Sequence, residues 1–337
     1  MTAFTEFLTH PVFLWTVGIL LGSGILLWIV SFFVASWCVY NATLRRRSKE
    51  TWSREMPADI DPQQKPMYEA GLAWSEENAA CKHDVHIVRE GMNLYGEYYD
   101  FGSKKCVMVL SGRTESLKYG YYFGIPYTRH GYNVLVVDPR GHGLSDGEFN
   151  TVGFEESRDA MEWVRYLQAA HGVEQVVFHG ICIGAAGGML ALTSGECPDC
   201  VVGIVTEGMF PNFYESVRNH MIERKKPTFV TLDLVDMWMK HYTGHSMKVG
   251  PIDVIHRLHV PLLMLHSRED AYSTPAYAQR LYDLAGTEKK TLCWFDRGRH
   301  SMLRITDTER YDTAIQQFLT ELSVVNHHTE KEKDHVL

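Results

Sequence analysis

Charge is missing from one long stretch of this chain. Between Pro11 and Leu44 there is no Asp, Glu, Lys or Arg, and Leu, Ile, Val, Phe and Trp dominate. The run exceeds the ~20 apolar residues that a membrane-spanning helix requires. No basic region precedes it and its apolar core is too long for a cleaved signal peptide. A basic surplus is also absent. The net charge is -8 and the globular part carries no broad basic stripe, which excludes nucleic acid as the main partner. A disulfide framework is lacking as well: the seven cysteines are odd in number and dispersed, as in a reducing compartment. Cys197-Pro198-Asp199-Cys200 is a lone C-x-x-C, too few ligands for a structural zinc site. No metal or organic cofactor is called for.

Residues 11–44 therefore read as a transmembrane helix, with Trp15 and Trp37 near its ends as interfacial anchors. Arg45, Arg46, Arg47 and Lys49 follow at once, whereas Glu6 is the only acidic or basic side chain before the span, histidine aside. The bias of basic residues toward the cytoplasm puts the short N-terminus, 1–10, outside and the remaining chain inside a cell membrane. Gly18 and Gly22 form a G-x-x-x-G pair through which two helices could associate. Asn41-Ala42-Thr43 matches a glycosylation sequon but sits too close to the membrane, on the cytoplasmic side, to be used.

Residues 45–81 are charged and proline-punctuated, a juxtamembrane linker with one short helix. From 82 to 322 strands and helices alternate, the pattern of an α/β domain with a mostly parallel central sheet flanked by helices. His83–Val88 and Leu94–Tyr99 read as a hairpin across Glu90-Gly91-Met92-Asn93. Residues 211–257 break the rhythm with helical stretches rich in aromatics and methionines, a lid over the sheet's C-terminal edge. The polar tail, 323–337, is expected to be disordered.

The chemistry gathers around Gly180-Ile181-Cys182-Ile183-Gly184, where a β-branched run meets a small-residue helix. A sharp strand-to-helix turn strains its central residue and leaves no bulk at the flanking positions, hence the glycines. A cysteine there lies at a helix N-terminus, where negative charge is favoured. Ligand sites in such sheets lie beyond the C-terminal ends of strands. Two further ends supply Asp270 and His300, giving the order nucleophile, acid, histidine. In the expected roles Cys182 attacks a carbonyl carbon, His300 carries its proton and Asp270 orients the ring. The N–H groups of Ile183 and of the turn at Gly112 and Arg113 would receive the oxyanion. Glu207 and Glu269 compete for the acid's role, while His142 and His179 read as structural.

The segments 108–115, 131–147, 179–188, 262–272 and 298–300 resemble the α/β-hydrolase superfamily, in particular its membrane-anchored, serine-aminopeptidase-like branch. Gly131-Tyr132-Asn133-Val134-Leu135 leading to Asp138-x-Arg140-Gly141-His142-Gly143-x-Ser145 is the more specific part of the match. The resemblance implies an α/β-hydrolase fold over residues 82–322, with Cys182, Asp270 and His300 in the nucleophile, acid and base positions. Cysteine in the elbow is similar to dienelactone hydrolases and polyhydroxyalkanoate synthases. The expected function is a membrane-tethered hydrolase of esters, thioesters or lactones acting on a small or lipid-derived acyl substrate. Acyl transfer through a Cys182 thioester, and a hydrolase scaffold that binds at the membrane without turnover, are the alternatives.

Overall fold

The computed structural model describes residues 2–57 and 60–334. A short helix α1 (Thr2–Thr9) precedes α2 (Pro11–Leu44), whose first turn holds Pro11, where a missing N–H costs nothing. At ~1.5 Å per residue, the 34 residues of α2 reach about 51 Å, well past the ~30 Å of a bilayer's hydrocarbon core. Most of its side chains are exposed, but Ser36, Tyr40, Asn41 and Leu44 are buried against the rest of the chain. The surplus turns are thus seated on protein. Among the described residues α2 is the one helix long and apolar enough to cross a membrane, and it anchors the protein as a single pass.

The segment after the anchor is tied to the domain rather than free of it. Arg46 donates to the carbonyls of Gly143 and Ser145 at 2.7 and 3.0 Å, and Arg54 Nε pairs with buried Asp138 at 2.7 Å. Trp52 stacks on His142 with ring centroids 4.5 Å apart. Helix α3 (Lys65–Glu77) packs on α4 (Leu117–Thr128) through Met67, Tyr68 and Trp74.

Strands β1 (Lys82–Arg89) and β2 (Met92–Tyr99) form an antiparallel hairpin. Its turn is the two residues Glu90-Gly91, both with positive φ, tighter than the four-residue connection expected. β2 pairs antiparallel with β4 (Asn133–Val137), and from there the sheet is parallel through β3 (Lys105–Leu110). It continues through β5 (Gln175–Ile181), β6 (Val201–Glu207), β7 (Leu262–Ser267) and β8 (Lys290–Phe295). The eight strands run in the order β1-β2-β4-β3-β5-β6-β7-β8. This is the α/β-hydrolase fold, a mostly parallel sheet covered on both faces.

One face is covered by α5 (Phe154–His171), α6 (Ile183–Leu192) and α10 (Pro275–Leu284), with Trp163, Leu167 and Met189 in its core. The other is covered by α3, α4, α11 (Leu303–Thr306) and α12 (Thr308–Asp334) around Phe123, Tyr127 and Tyr311. α12 continues to Asp334, past the boundary at 322 after which a disordered tail was expected; residues 335–337 lie outside the described residues.

The lid contains α7 (Phe213–Glu223), α8 (Thr231–Thr243) and α9 (Pro251–Val254). Phe213, Leu232, Val235, Met239 and Met247 form one apolar cluster with Tyr40 and Leu44 of the anchor and Ile183 and Ala186 of α6. The lid therefore bridges the membrane helix and the elbow.

At the elbow a Cβ on Gly184 would collide with the Leu110 carbonyl, and one on Gly180 with the Ala185 backbone. Gly184→Ala should lower unfolding free energy by about 3 kcal/mol in denaturant titration, the upper range for overpacking. Gly18→Ala, with nothing within 4 Å, should stay within about 0.5 kcal/mol.

Candidate active site

The strand-to-helix turn holds Cys182 at φ 53°, ψ −110°, outside the regions an ordinary residue prefers. Its N–H donates to the Glu207 carbonyl at 2.9 Å, fixing β5 to β6 at the turn. The side chain is partly buried between the apolar cluster under the lid and the core around α4 and α12. Ile183 opens α6, and the first N–H groups of a helix have no intrahelical partner.

Asp270 follows β7. Its Oδ1 accepts the N–H groups of Tyr272 and Ser273 at 2.8 and 2.9 Å, which aims Oδ2 at His300 Nδ1, 2.7 Å away. Burial alone would raise the carboxyl pKa; the facing His300 and these hydrogen bonds outweigh it and hold Asp270 below the usual carboxylate range. For His300 burial works toward the neutral ring. Asp270 and Cys182, both interacting with the imidazole, prevail and raise its pKa well above the ordinary value. The ring fits because residue 208 is glycine: at φ +61° a Cβ there would lie 2.9 Å from His300 Cε1. Tyr272 flanks the ring edge-on at 5.5 Å.

The two competing acids are engaged elsewhere. Glu207 is buried, with Oε1 accepting the Leu303 N–H at 3.0 Å and Oε2 the Tyr311 hydroxyl at 2.7 Å. Burial pushes its pKa up, and it sits near His300 without a hydrogen bond to it. Glu269 accepts the Gly298 N–H at 3.2 Å. His179 is clamped between the hydroxyls of Tyr127 and Tyr311 at 2.8 and 3.0 Å, and burial brings its pKa down to about 3. His142 meets the Arg140 and Arg113 carbonyls, a structural tie across the loop.

The loop after β3 divides its donors. Gly112 gives its N–H to Glu115 Oε2 at 2.8 Å, which removes it from the donors free to meet an oxyanion. Arg113 N–H has no protein acceptor among the described residues. Glu115, which the sequence left without a role, lies at the heart of this loop. Burial raises its carboxyl from the ordinary 4.5 to about 7, against the opposing pull of the Gly112 N–H, His300 and Arg113. It also borders a cavity of about 510 Å³ beneath the juxtamembrane segment, walled by Trp52, Met56, Ile60 and Tyr119. Neither Cys182 nor His300 lines that cavity.

The sequence reading brought Cys182, Asp270, His300, Ile183 and Arg113 together, and the structure brings the same five to one sheet edge. It did not find Gly208 or Tyr272, and it left Glu115 unassigned. Gly208 follows a strand end without any turn motif, so only the close approach of His300 reveals its purpose.

Comparison with known proteins bears on the chemistry. A family model described as alpha/beta hydrolase fold matches residues 105–238, and one described as serine aminopeptidase, S33, matches 252–308. The chain is 28% identical over 221 residues to the uncharacterized protein YqkD of Bacillus subtilis, covering 65% of this chain and 70% of that protein. It is 24% identical over 168 residues to the lysophosphatidylserine lipase ABHD12 of Danio rerio, covering 47% of this chain. It is 30% identical over 162 residues to human protein ABHD12B, covering 46% of this chain. The matched regions span only 41% and 42% of those two relatives. Among solved structures, an esterase of Pyrococcus furiosus superposes with a TM-score of 0.61 at 21% identity, over 73% of this chain and 93% of that one.

These matches correct the expectation of a cysteine-nucleophile lineage. The matched families are of the serine-hydrolase type and carry no evidence for a cysteine nucleophile. Cys182 therefore stands where serine-type members of this fold carry serine, and a thiol nucleophile is not carried over to this chain. Among the described residues no serine hydroxyl is hydrogen-bonded to His300. With its fold, its paired acid and base and the matched families in agreement, the chain is an enzyme of the α/β-hydrolase fold.

Proposed function

We propose that this enzyme hydrolyses ester-type substrates of amphiphilic character at the membrane surface, with Asp270 and His300 as its acid–base pair. The observation that carries the reading is the 2.7 Å contact between Asp270 Oδ2 and His300 Nδ1 beside the elbow. In this arrangement Asp270 fixes the ring's tautomer, and His300 takes a proton from a water that adds to the ester carbonyl and returns it to the departing alkoxide, leaving acid and alcohol. The N–H groups of Ile183 and Arg113 receive the oxygen on which negative charge develops. The apolar lid cluster next to the elbow suits an acyl chain, and the membrane helix seated on that lid suits delivery from the bilayer. The lipase name of the zebrafish relative supports the same substrate class. The basic residues following α2 favour a cytoplasmic domain with the N-terminus outside.

Medium-chain acyl esters presented to the full chain in lipid nanodiscs test the reading. His300→Ala and Asp270→Asn should each lower kcat by roughly 10³-fold or more, with far smaller changes in KM. Turnover that persists unchanged in His300→Ala would refute it. Cys182→Ser installs the serine of the matched family in an elbow already provided with a base, and turnover should rise above that of the wild type. Loss of turnover in that variant would contradict the serine-type reading.

The buried Glu115 adds a pH dependence. Its pKa is raised in the folded state, so the protonated form favours folding. Its stabilising contribution is fully present below the ordinary 4.5 and lost as pH rises to about 7. Glu115→Gln keeps an acceptor for the Gly112 N–H and cannot ionise. Thermal melts should show the variant gaining on the wild type as pH rises through that window and holding a constant difference above it. A pH-independent difference would remove Glu115 from the titrating groups of the site.

A further inference from the structure

The C-terminal end of α2 does more than stop at the domain. Trp238 Nε1 of the lid donates to Ser36 Oγ at 3.0 Å, Asn150 N–H to the Leu44 carbonyl at 2.9 Å, and Arg113 Nη1 to the Thr43 carbonyl at 3.0 Å. The last four carbonyls of a helix have no intrahelical donors and carry partial negative charge, so a guanidinium placed there answers both needs. The Arg113 guanidinium makes its hydrogen bond to the Thr43 carbonyl, and burial opposes its charge. Cys182 and Glu115 support the charge from a distance, and the helix end adds a direct hydrogen-bond acceptor. The rest of the residue is fixed from the opposite side. Its carbonyl meets His142 Nε2, and that ring is stacked under Trp52 of the juxtamembrane segment. Held at side chain and carbonyl, Arg113 keeps its N–H unclaimed by the protein.

We propose that Arg113 is a positioning residue through which the membrane anchor holds the oxyanion loop in its working form. The inference rests on the reading that Arg113 N–H is an oxyanion donor. The anchor then acts as a structural part of the active site as well as a tether. Its seating through Thr43, and the Trp52–His142 stack, set the geometry of residues 111–116. A loop released at this point keeps the acyl pocket and the base but loses aim at the transition state. Such a defect falls on kcat and spares KM.

The test uses the full chain in phospholipid nanodiscs, as wild type, Arg113→Met, Arg113→Lys and Arg47→Met, the last removing an exposed charge near the same membrane face. Two readouts are taken: ester turnover and amide hydrogen exchange across 111–116. Arg113→Met should lower kcat roughly tenfold or more with KM within about twofold, a part of the 10²–10³ that a lost oxyanion donor costs. Exchange in 111–116 should rise while the β5 and β6 amides stay protected, showing a folded domain. Arg113→Lys should recover part of both effects, and Arg47→Met should show neither. Unchanged exchange and kcat in Arg113→Met would overturn the proposal, as would a change confined to KM, which would mark Arg113 as a substrate-binding group. If the wild type turns over no ester, the ester reading fails on its own. The exchange result still decides the latch, supporting it if 111–116 loosens and refuting it if not.

Discussion

The structure turns on one steric constraint: a strand and a helix meet at residues 180–184 with no room for side chains on either flank of the centre. Gly184 lies against the Leu110 carbonyl, Gly180 against the Ala185 backbone, and residue 182 is driven to positive φ between them. That single contact brings β3, β5 and α6 to a common point. It thereby sets the Arg113 loop, the start of α6 and the elbow side chain on one edge of the sheet. His300 reaches the same edge from β8, and only because Gly208 yields the space. Strain in the backbone is tolerated here because every neighbouring strand is buried and paired on both sides.

A second dependence runs outward to the membrane. The anchor is longer than a bilayer needs, and its extra turns are accommodated by packing Tyr40 and Leu44 among lid and elbow residues. Arg46 and Arg54 then fasten the following segment to the loop between Val137 and Ser145. The loop after β3, the lid and the anchor therefore share contacts, which joins the elbow physically to the membrane helix.

Much of this could be read from residues alone, for identifiable reasons. The strands of the parallel sheet are continuous apolar runs, the elbow is framed by obligatory glycines, and Asp270 and His300 lie at strand ends, where such sheets gather their chemistry. The span at 11–44 needs only its lack of charge. What escaped the reading depends on long-range approach. Glu115 became a buried acid through a fold of its own loop onto Gly112, and Thr43 became a partner for Arg113 across 70 residues of sequence. No spacing rule encodes either contact. The cysteine misled for a different reason: its chemistry is distinctive enough to suggest a lineage, while residues 105–238 match the alpha/beta hydrolase fold model and residues 252–308 the serine aminopeptidase one.

The proposed ester chemistry takes place between His300 and the N–H groups of Ile183 and Arg113, with the anchor seated beside them. An experimental structure of the full chain in a lipid nanodisc, bound to a non-hydrolysable acyl phosphonate, tests this most directly. The expected complex has a phosphonyl oxygen within hydrogen-bond distance of both N–H groups, the acyl chain under the lid against Tyr40 and Leu44, and Arg113 on the Thr43 carbonyl. A phosphonate bound away from this edge, or one whose oxygen meets neither N–H, would contradict it.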